Sequence, residues 1–407
     1  MLTAGADGNS ISLPSENGPV IWLVLDLSAK KRGSMEEQLV ALGGRLAASG
    51  ARPTVVLAAT PPLWLAAQLH SRGVAVRVLD FRHPGRAALT FMRWMEAARP
   101  SLVHFHFVRA YSPLVAMARA VGARVVLHDH ITLGHPVGPQ YAEHAPVTRL
   151  LINSYKRARA AALNGLVDRR IAVSHFVARS VREAEFVAPE RLMVVENGVD
   201  LSRFGGADGS ALRAELRAGD RPIVACVSRL TPEKGIEVLI RAMARVGRDA
   251  LLVVAGEGPE LEAQRALAAR VGLGDHVRFV GLRDDVERIF AAADLVVQGS
   301  VCEEAFGLVV VEAMAAGKPV VVTASGAMPE LVDHGACGLV VPKGDEVALA
   351  GAIGRFLGDR VLAARMGQAA RERAQRAFAM PVWVERIVGV YATLVPALAT
   401  PTTRRAA

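Results

Sequence analysis

The chain has 407 residues, 52% of them apolar and 21% charged, a balance that excludes intrinsic disorder and gives length for two or three domains with proper cores. No run of about eighteen uninterrupted apolar residues occurs, which argues against a membrane-spanning helix. The formal net charge of +9 is uneven: residues 1–203 hold 24 Lys and Arg against 15 Asp and Glu, and the rest of the 48 and 39 leaves 24 against 24, so the excess lies wholly in the first half and favours an anionic ligand or surface.

Residues 1–18 are polar and rich in Gly, Ser and Asn, without a basic start, and read as a loose tail rather than a secretion signal. The expected compartment is the cytoplasm. There Cys226, Cys302 and Cys337, odd in number and without metal-like spacing, would be plain buried thiols. From Val20 onward, apolar strand-like runs alternate with helix-length segments, the rhythm of a parallel sheet covered on both faces. Strands are predicted over 20–27, 53–58, 74–79, 102–107, 124–128, 170–174 and 192–196, with helices over 35–48, 87–98, 113–121 and, at greater length, about 146–163. The turn formers of 197–210 read as a linker.

The same rhythm then returns, with strands predicted over 222–228, 250–255, 277–280, 295–298, 319–323 and 339–341. Arginine-rich helices over 346–378 and 382–394 close the chain, and 396–407 reads as a disordered tail. The fold class is therefore α/β, with two doubly wound, Rossmann-like domains. Their bounds are 19–200 and 201–379, the helix 380–396 returns to the first, and 1–18 and 397–407 are tails. In open parallel sheets ligands bind beyond the carboxyl ends of the strands, so two such sheets facing one another would form a central cleft.

Candidate chemistry falls at strand exits. Lys30-Lys31-Arg32-Gly33-Ser34 precedes the first helix, where exposed amides and glycine suit an acceptor or phosphate loop. His104 and His106, then His128 and His130 around Asp129, crowd two neighbouring exits. A metal cluster is one reading, but no supporting His-x-x-Glu-His or Cys-x-x-Cys pattern occurs. His104 and His106 fit structural imidazoles, and His128 is the imidazole placed to meet a substrate. In Ser228-Arg229-Leu-Thr-Pro-Glu-Lys234-Gly235, Thr231 reads as an N-cap with Pro232 at the first helical position. That puts Lys234 in the first turn, against the helix dipole, which makes sense if Arg229 and Lys234 meet a multiply charged anion. No Asp-x-Asp occurs, so no metal is expected to clamp a diphosphate; the two cations would replace it.

Two glycine-bearing strand exits follow, Gly256-Glu-Gly-Pro259 and Gly281. Next comes Glu304-Ala-Phe306-Gly307-Leu308-Val309-Val-Val-Glu312-Ala-Met-Ala-Ala-Gly317-Lys-Pro319. It reads as an exit loop carrying Glu304 and a helix over 308–316 with Glu312 two turns inside, stopped by Gly317.

In this order, Arg229-x4-Lys234-Gly, Gly256-Glu-Gly-Pro259, Glu304-x-Phe-Gly-Leu-x3-Glu312 and Gly326-x-x-Pro-Glu330 resemble glycosyltransferase family 4, the retaining nucleotide-sugar enzymes of the GT-B fold. The match covers most of 197–345. The first half resembles the family more loosely, through Gly33-Ser34, where Gly-Gly is usual, the 103–106 strand, His128 and Val173-Ser174. The resemblance implies that Glu312 holds the donor ribose, Glu304 the transferred sugar, and Arg229 with Lys234 the diphosphate. Main-chain amides of Phe306, Gly307, Leu308 and Val309 would meet sugar and phosphates, the Gly281 loop the base, and His128 the sugar near the reacting carbon. It also implies hexosyl transfer from a UDP- or GDP-type sugar to a hydroxyl, with no metal and no cofactor beyond the nucleotide-sugar.

Lipid-linked, saccharide or small-molecule acceptors fit that chemistry, and the basic first half suggests contact with an anionic membrane face. Nucleic acid is not expected, because no basic pattern interleaved with aromatics appears. Two competing readings are a non-hydrolysing nucleotide-sugar 2-epimerase of the same fold and a catalytically idle binding partner.

Overall fold

The computed structural model describes residues 17–29, 33–131, 154 and 158–399. Of these, 17–128, 158–170 and 384–399 form one compact unit, and 129–131, 154 and 171–383 form another. The first sheet has seven strands: β1 (Val20–Leu25), β2 (Arg52–Leu57), β3 (Ala75–Val78), β4 (Leu102–His106), β5 (Arg124–Asp129), β6 (Arg169–Ala172) and β7 (Leu192–Val194), in the order β3-β2-β1-β4-β5-β6-β7. The second has six: β8 (Ile223–Val227), β9 (Leu251–Ala255), β10 (Val277–Phe279), β11 (Leu295–Gln298), β12 (Val320–Thr323) and β13 (Leu339–Val341), in the order β10-β9-β8-β11-β12-β13. Every pairing within it is parallel. Both orders reverse direction beside the first strand of the sheet, the arrangement that opens a crevice at the carboxyl edge.

The strands are nearly continuous apolar runs because helices cover both faces. In β4, Val103 and Phe105 enter a core with Trp22, Phe91 and Leu127, and the alternate residues His104 and His106 point to the opposite face, equally buried. The Trp22 ring meets Phe91 edge-on at 6.2 Å, and the Arg77 guanidinium lies 5.5 Å from the Trp22 ring. In the second unit, alternate residues of β8 and β9 divide between two cores: Ala225 and Val253 on one face, Val224, Cys226, Leu252 and Val254 on the other.

Several expectations change at the element ends. The predicted 346–378 helix is two helices, Glu346–Gly358 and Arg360–Ala377, because Asp359 between them accepts from the Leu362 amide at 2.9 Å and starts a new helix. The 197–210 linker is anchored: Val199 and Phe204 are buried, and Gly198 packs so closely on Trp383 that a Cβ there would lie 2.5 Å from it. The 397–407 tail begins too early, since Pro396–Leu398 forms a 3-10 turn with Leu398 buried. The closing helix, Met380–Ala392, starts in the second unit and from Val384 belongs to the first. Most of the helix predicted over 146–163, the basic residues 30–32 and nearly all of the 1–18 tail lie outside the described residues; 158–164 is helical.

Candidate active site at the strand ends of the second sheet

Five strand exits converge at the carboxyl edge of the second sheet. After β8 the chain makes a 3-10 turn, Pro232–Lys234, and passes through Gly235 at φ 65° into the helix Ile236–Val246. Lys234 therefore closes a separate turn rather than sitting in the first turn of the helix as predicted, and Thr231 makes no capping bond to that turn. A side chain at position 235 would put its Cβ 2.0 Å from the carbonyl oxygen of Gly299, so glycine is required both by backbone sign and by the close approach of the β11 exit. The two loops are joined where the Val301 amide donates to the Glu233 carbonyl at 2.9 Å.

That junction brings Lys234 and Glu304 together. Lys234 Nζ lies 2.6 Å from Glu304 Oε1, with side-chain exposures of 14% and 15%. The Ser300 hydroxyl donates to the same oxygen at 2.5 Å. Ser300 is in turn fixed by Thr323, whose hydroxyl donates to the Ser300 carbonyl at 2.6 Å, and by Gln298 Nε2 at 3.3 Å. The Glu304 carbonyl accepts from the Ala327 amide at 2.8 Å, and the neighbouring Ala305 carbonyl accepts from the Ser174 hydroxyl at 2.7 Å. One carboxylate oxygen is thus saturated by a cation and a hydroxyl, a charge-assisted arrangement that fixes its rotamer. In the sequence Gln298-Gly-Ser300 stands out only as a departure from the Pro-Ser usual in the family, without a site role, and nothing there singles out Thr323.

The helix that follows runs Leu308–Ala315 from Gly307, whose φ is 127°. Glu312 is its fifth residue, little more than one turn in, rather than two as predicted. The Phe306 side chain is buried, meeting the Phe378 ring edge-on at 5.9 Å, so only its main chain is available to a ligand. The amides of Leu308 and Val309 precede the first intrahelical bonds and form the positive end of the helix. Arg229 is 70% exposed, with Glu233 Oε1 3.4 Å away; the structure does not hold it against Glu304. The Gly281 carbonyl accepts from the Gly256 amide at 2.8 Å, and Leu230 donates to Glu257 at 2.9 Å, which ties the exits of β8, β9 and β10 into one rim.

In the first unit, Gly33 caps the helix Ser34–Ala48 in extended backbone, φ −148°, a conformation open to any residue, and Ser34 is buried. His128 is not the lone, substrate-facing imidazole of the sequence reading. It is 3% exposed and lies beside His104 and His106, with ring centroids 5.2 and 5.0 Å away. The register pairs His106 with His128 directly, which is why the cluster forms. His130, just past the end of β5, keeps partial exposure, and the protein around its ring pushes the imidazole down to about 3, so it is neutral.

Two parallel, Rossmann-like sheets and a cation-carboxylate pair at one carboxyl edge define the class: a GT-B glycosyltransferase that uses a nucleotide-sugar donor. Residues 210–373 match the family described as Glycosyl transferases group 1, and residues 35–203 match Glycosyltransferase Family 4; the chain belongs to this family. It is 33% identical over 375 residues, 86% of this chain and 92% of the relative, to a GDP-mannose-dependent alpha-(1-6)-phosphatidylinositol monomannoside mannosyltransferase of Mycobacterium tuberculosis. Against the D-inositol 3-phosphate glycosyltransferase of Salinispora tropica it is 37% identical over 245 residues, 55% of this chain and 50% of that protein. Among solved structures, Anabaena Alr3699/HepE in complex with UDP superposes with a TM-score of 0.75 at 25% identity, covering 91% of this chain and 99% of that one. A glycosyltransferase from Rickettsia africae shares the fold at a TM-score of 0.78 and 19% identity, over 93% of this chain and 99% of its own.

Proposed function

We propose that this enzyme transfers mannose, with retention of anomeric configuration and without a catalytic metal, from GDP-mannose to a hydroxyl of an anionic, inositol-bearing lipid. The observation that carries the reading is the Lys234–Glu304 contact at 2.6 Å. In a nucleotide-diphosphate sugar the anionic phosphate and the sugar hydroxyls are one linkage apart, and a paired cation and carboxylate match that spacing. The choice of base and sugar follows the mannosyltransferase relative, which is similar along nearly its whole length. The acceptor class follows the same relative and the net charge of residues 1–203, which suits an anionic membrane face. The 2-epimerase alternative gains no support from the transferase names of these relatives.

In this reading Lys234 and Arg229 hold the diphosphate, with Arg229 swinging in from solvent, while the Leu308 and Val309 amides complete the anion site. Glu304 binds hexose hydroxyls through Oε2, since Oε1 is occupied by Lys234 and Ser300. Glu312 takes the ribose, the Gly281 rim the base, and Gly33-Ser34 an acceptor-side phosphate. The imidazole assigned to the sugar passes from His128, which is buried in its cluster, to His130. The bond between the anomeric carbon and the phosphate oxygen breaks as the acceptor oxygen bonds to that carbon from the same face. The acceptor proton goes to the departing phosphate oxygen, so no protein base is consumed. Stabilising the leaving diphosphate is the main demand on the site.

Glu304→Ala tests the assignment. Mannosylated lipid, followed by mass spectrometry, should fall by about 10²-fold or more, while calorimetry still detects GDP binding. A variant that transfers mannose at the native rate would refute the role of Glu304.

A further inference from the structure

We infer that His104, His106 and His128 form a binding site for one divalent transition-metal ion, with Zn²⁺ as the natural occupant. Their candidate ligand nitrogens all lie within 4.8 Å of one another, and all three residues are buried. Rings bound tetrahedrally through nitrogens about 2.0–2.1 Å from an ion have centroids about 5 Å apart. The centroid separations here are 5.2, 5.0 and 4.1 Å. A tetrahedral site holds its ligand nitrogens roughly 3.4 Å apart, so the side chains would close by the order of 1 Å on binding.

The placement is a product of the sheet. His104 and His106 alternate on one face of β4, and the parallel register sets His128 of β5 beside His106. Strands are the rigid elements on which three ligands are held most reproducibly. An outer partner is also present: Tyr391, on the closing helix and fully buried, lies 2.5 Å from His104 Nδ1. With Nδ1 engaged by Tyr391, His104 would offer Nε2 to the ion, the second-shell pattern that orients metal-bound imidazoles. Three neutral imidazoles select zinc, cobalt, nickel or copper over magnesium and calcium. They leave a fourth position for water or a small anion.

The site is built wholly from the first unit and does not depend on the donor residues of the second. Its role would be to fasten β4, β5 and the closing helix to one another, leaving the transfer chemistry free of metal.

The test uses the full chain, stripped with a chelator, dialysed and titrated with Co²⁺ and with Zn²⁺. We expect about one ion per chain by elemental analysis and the visible absorption of tetrahedral Co²⁺. The His106→Gln and His128→Gln variants should abolish that spectrum. Tyr391→Phe should keep the ion but weaken it about 10-fold and shift the Co²⁺ band, a readout that a purely packing role would not move. His83→Gln, an exposed histidine of the same unit, should behave as the native chain. If the native chain takes up no ion, or if the His106 and His128 variants bind as well as it does, the site is refuted. Should those variants fail to fold, the native Co²⁺ spectrum and its shift in Tyr391→Phe decide the matter alone.

Discussion

At the scale of single residues, the second unit shows how a nearly buried cation is held in place by its neighbours. Lys234 is 14% exposed and would be costly to leave unpaired there; Glu304 satisfies it, and Ser300 keeps Glu304 from swinging away. In the core of β8, burial pushes the Cys226 thiol up to about 12 against the opposing pull of the Lys234 charge. At pH 8 the native chain should therefore be alkylated by iodoacetamide at the partly exposed Cys302 well before the buried Cys226, as peptide mass mapping can show. The sign for stability follows. The folded thiol holds its proton to higher pH than the unfolded one, so Cys226 is neutral to stability below the ordinary thiol range and costs stability as pH rises from about 9 towards 12. Early modification of Cys226 in folded protein would show that this corner of the sheet opens readily.

At the scale of elements, much was legible and the reasons differ from place to place. Most of the thirteen strands among the described residues announced themselves as apolar runs, because a doubly covered parallel sheet leaves no polar face; the edge strand β3 is largely exposed. The partition of Lys234 into its own turn was not legible, since Thr-Pro-Glu-Lys is an acceptable helix start and only the left-handed Gly235, forced by the Gly299 carbonyl, ends it. The histidine cluster was half legible: the alternation in β4 is a sequence fact, whereas the neighbour of His106 is decided by sheet register.

The rim glycines give a test at this scale. Gly256 has φ 138°, and a Cβ there would lie 1.9 Å from the Ser228 carbonyl, while Gly122 at φ 87° has open space. Gly256→Ala should destabilise by about 3 kcal/mol or more, and Gly122→Ala by only about 1 kcal/mol, read as shifts in urea midpoint. Equal shifts would mean that the rim is not held as tightly as its backbone contacts imply.

For the whole molecule, charge rather than shape carries the remaining information. No described helix is long and apolar enough to cross a membrane, yet residues 1–203 carry the entire excess of nine positive charges. The chain should co-sediment with phosphatidylinositol-containing vesicles but not with neutral phosphatidylcholine, and the binding should fade as salt is raised from 0.05 to about 0.5 M. Salt-independent binding would point to apolar insertion instead. The family was legible because its motifs recur in one order along the second half, and the proposed donor residues follow needs of that chemistry, a cation for phosphate and a carboxylate for sugar hydroxyls. The acceptor was not, because one hydroxyl can be presented by many different surfaces.

In the proposed mechanism the departing diphosphate, stabilised by Lys234 rather than by a metal or a protein base, governs the reaction. This is tested most directly by the turnover of Lys234→Ala at saturating GDP-mannose, measured as GDP release with acceptor present and no Mg²⁺ or Mn²⁺ added. The native chain should turn over fully without these ions, and kcat of the variant should fall by about 10²- to 10³-fold, as for loss of a group that acts on developing charge. An unchanged kcat with only KM raised, or a native rate that requires Mg²⁺, would contradict it.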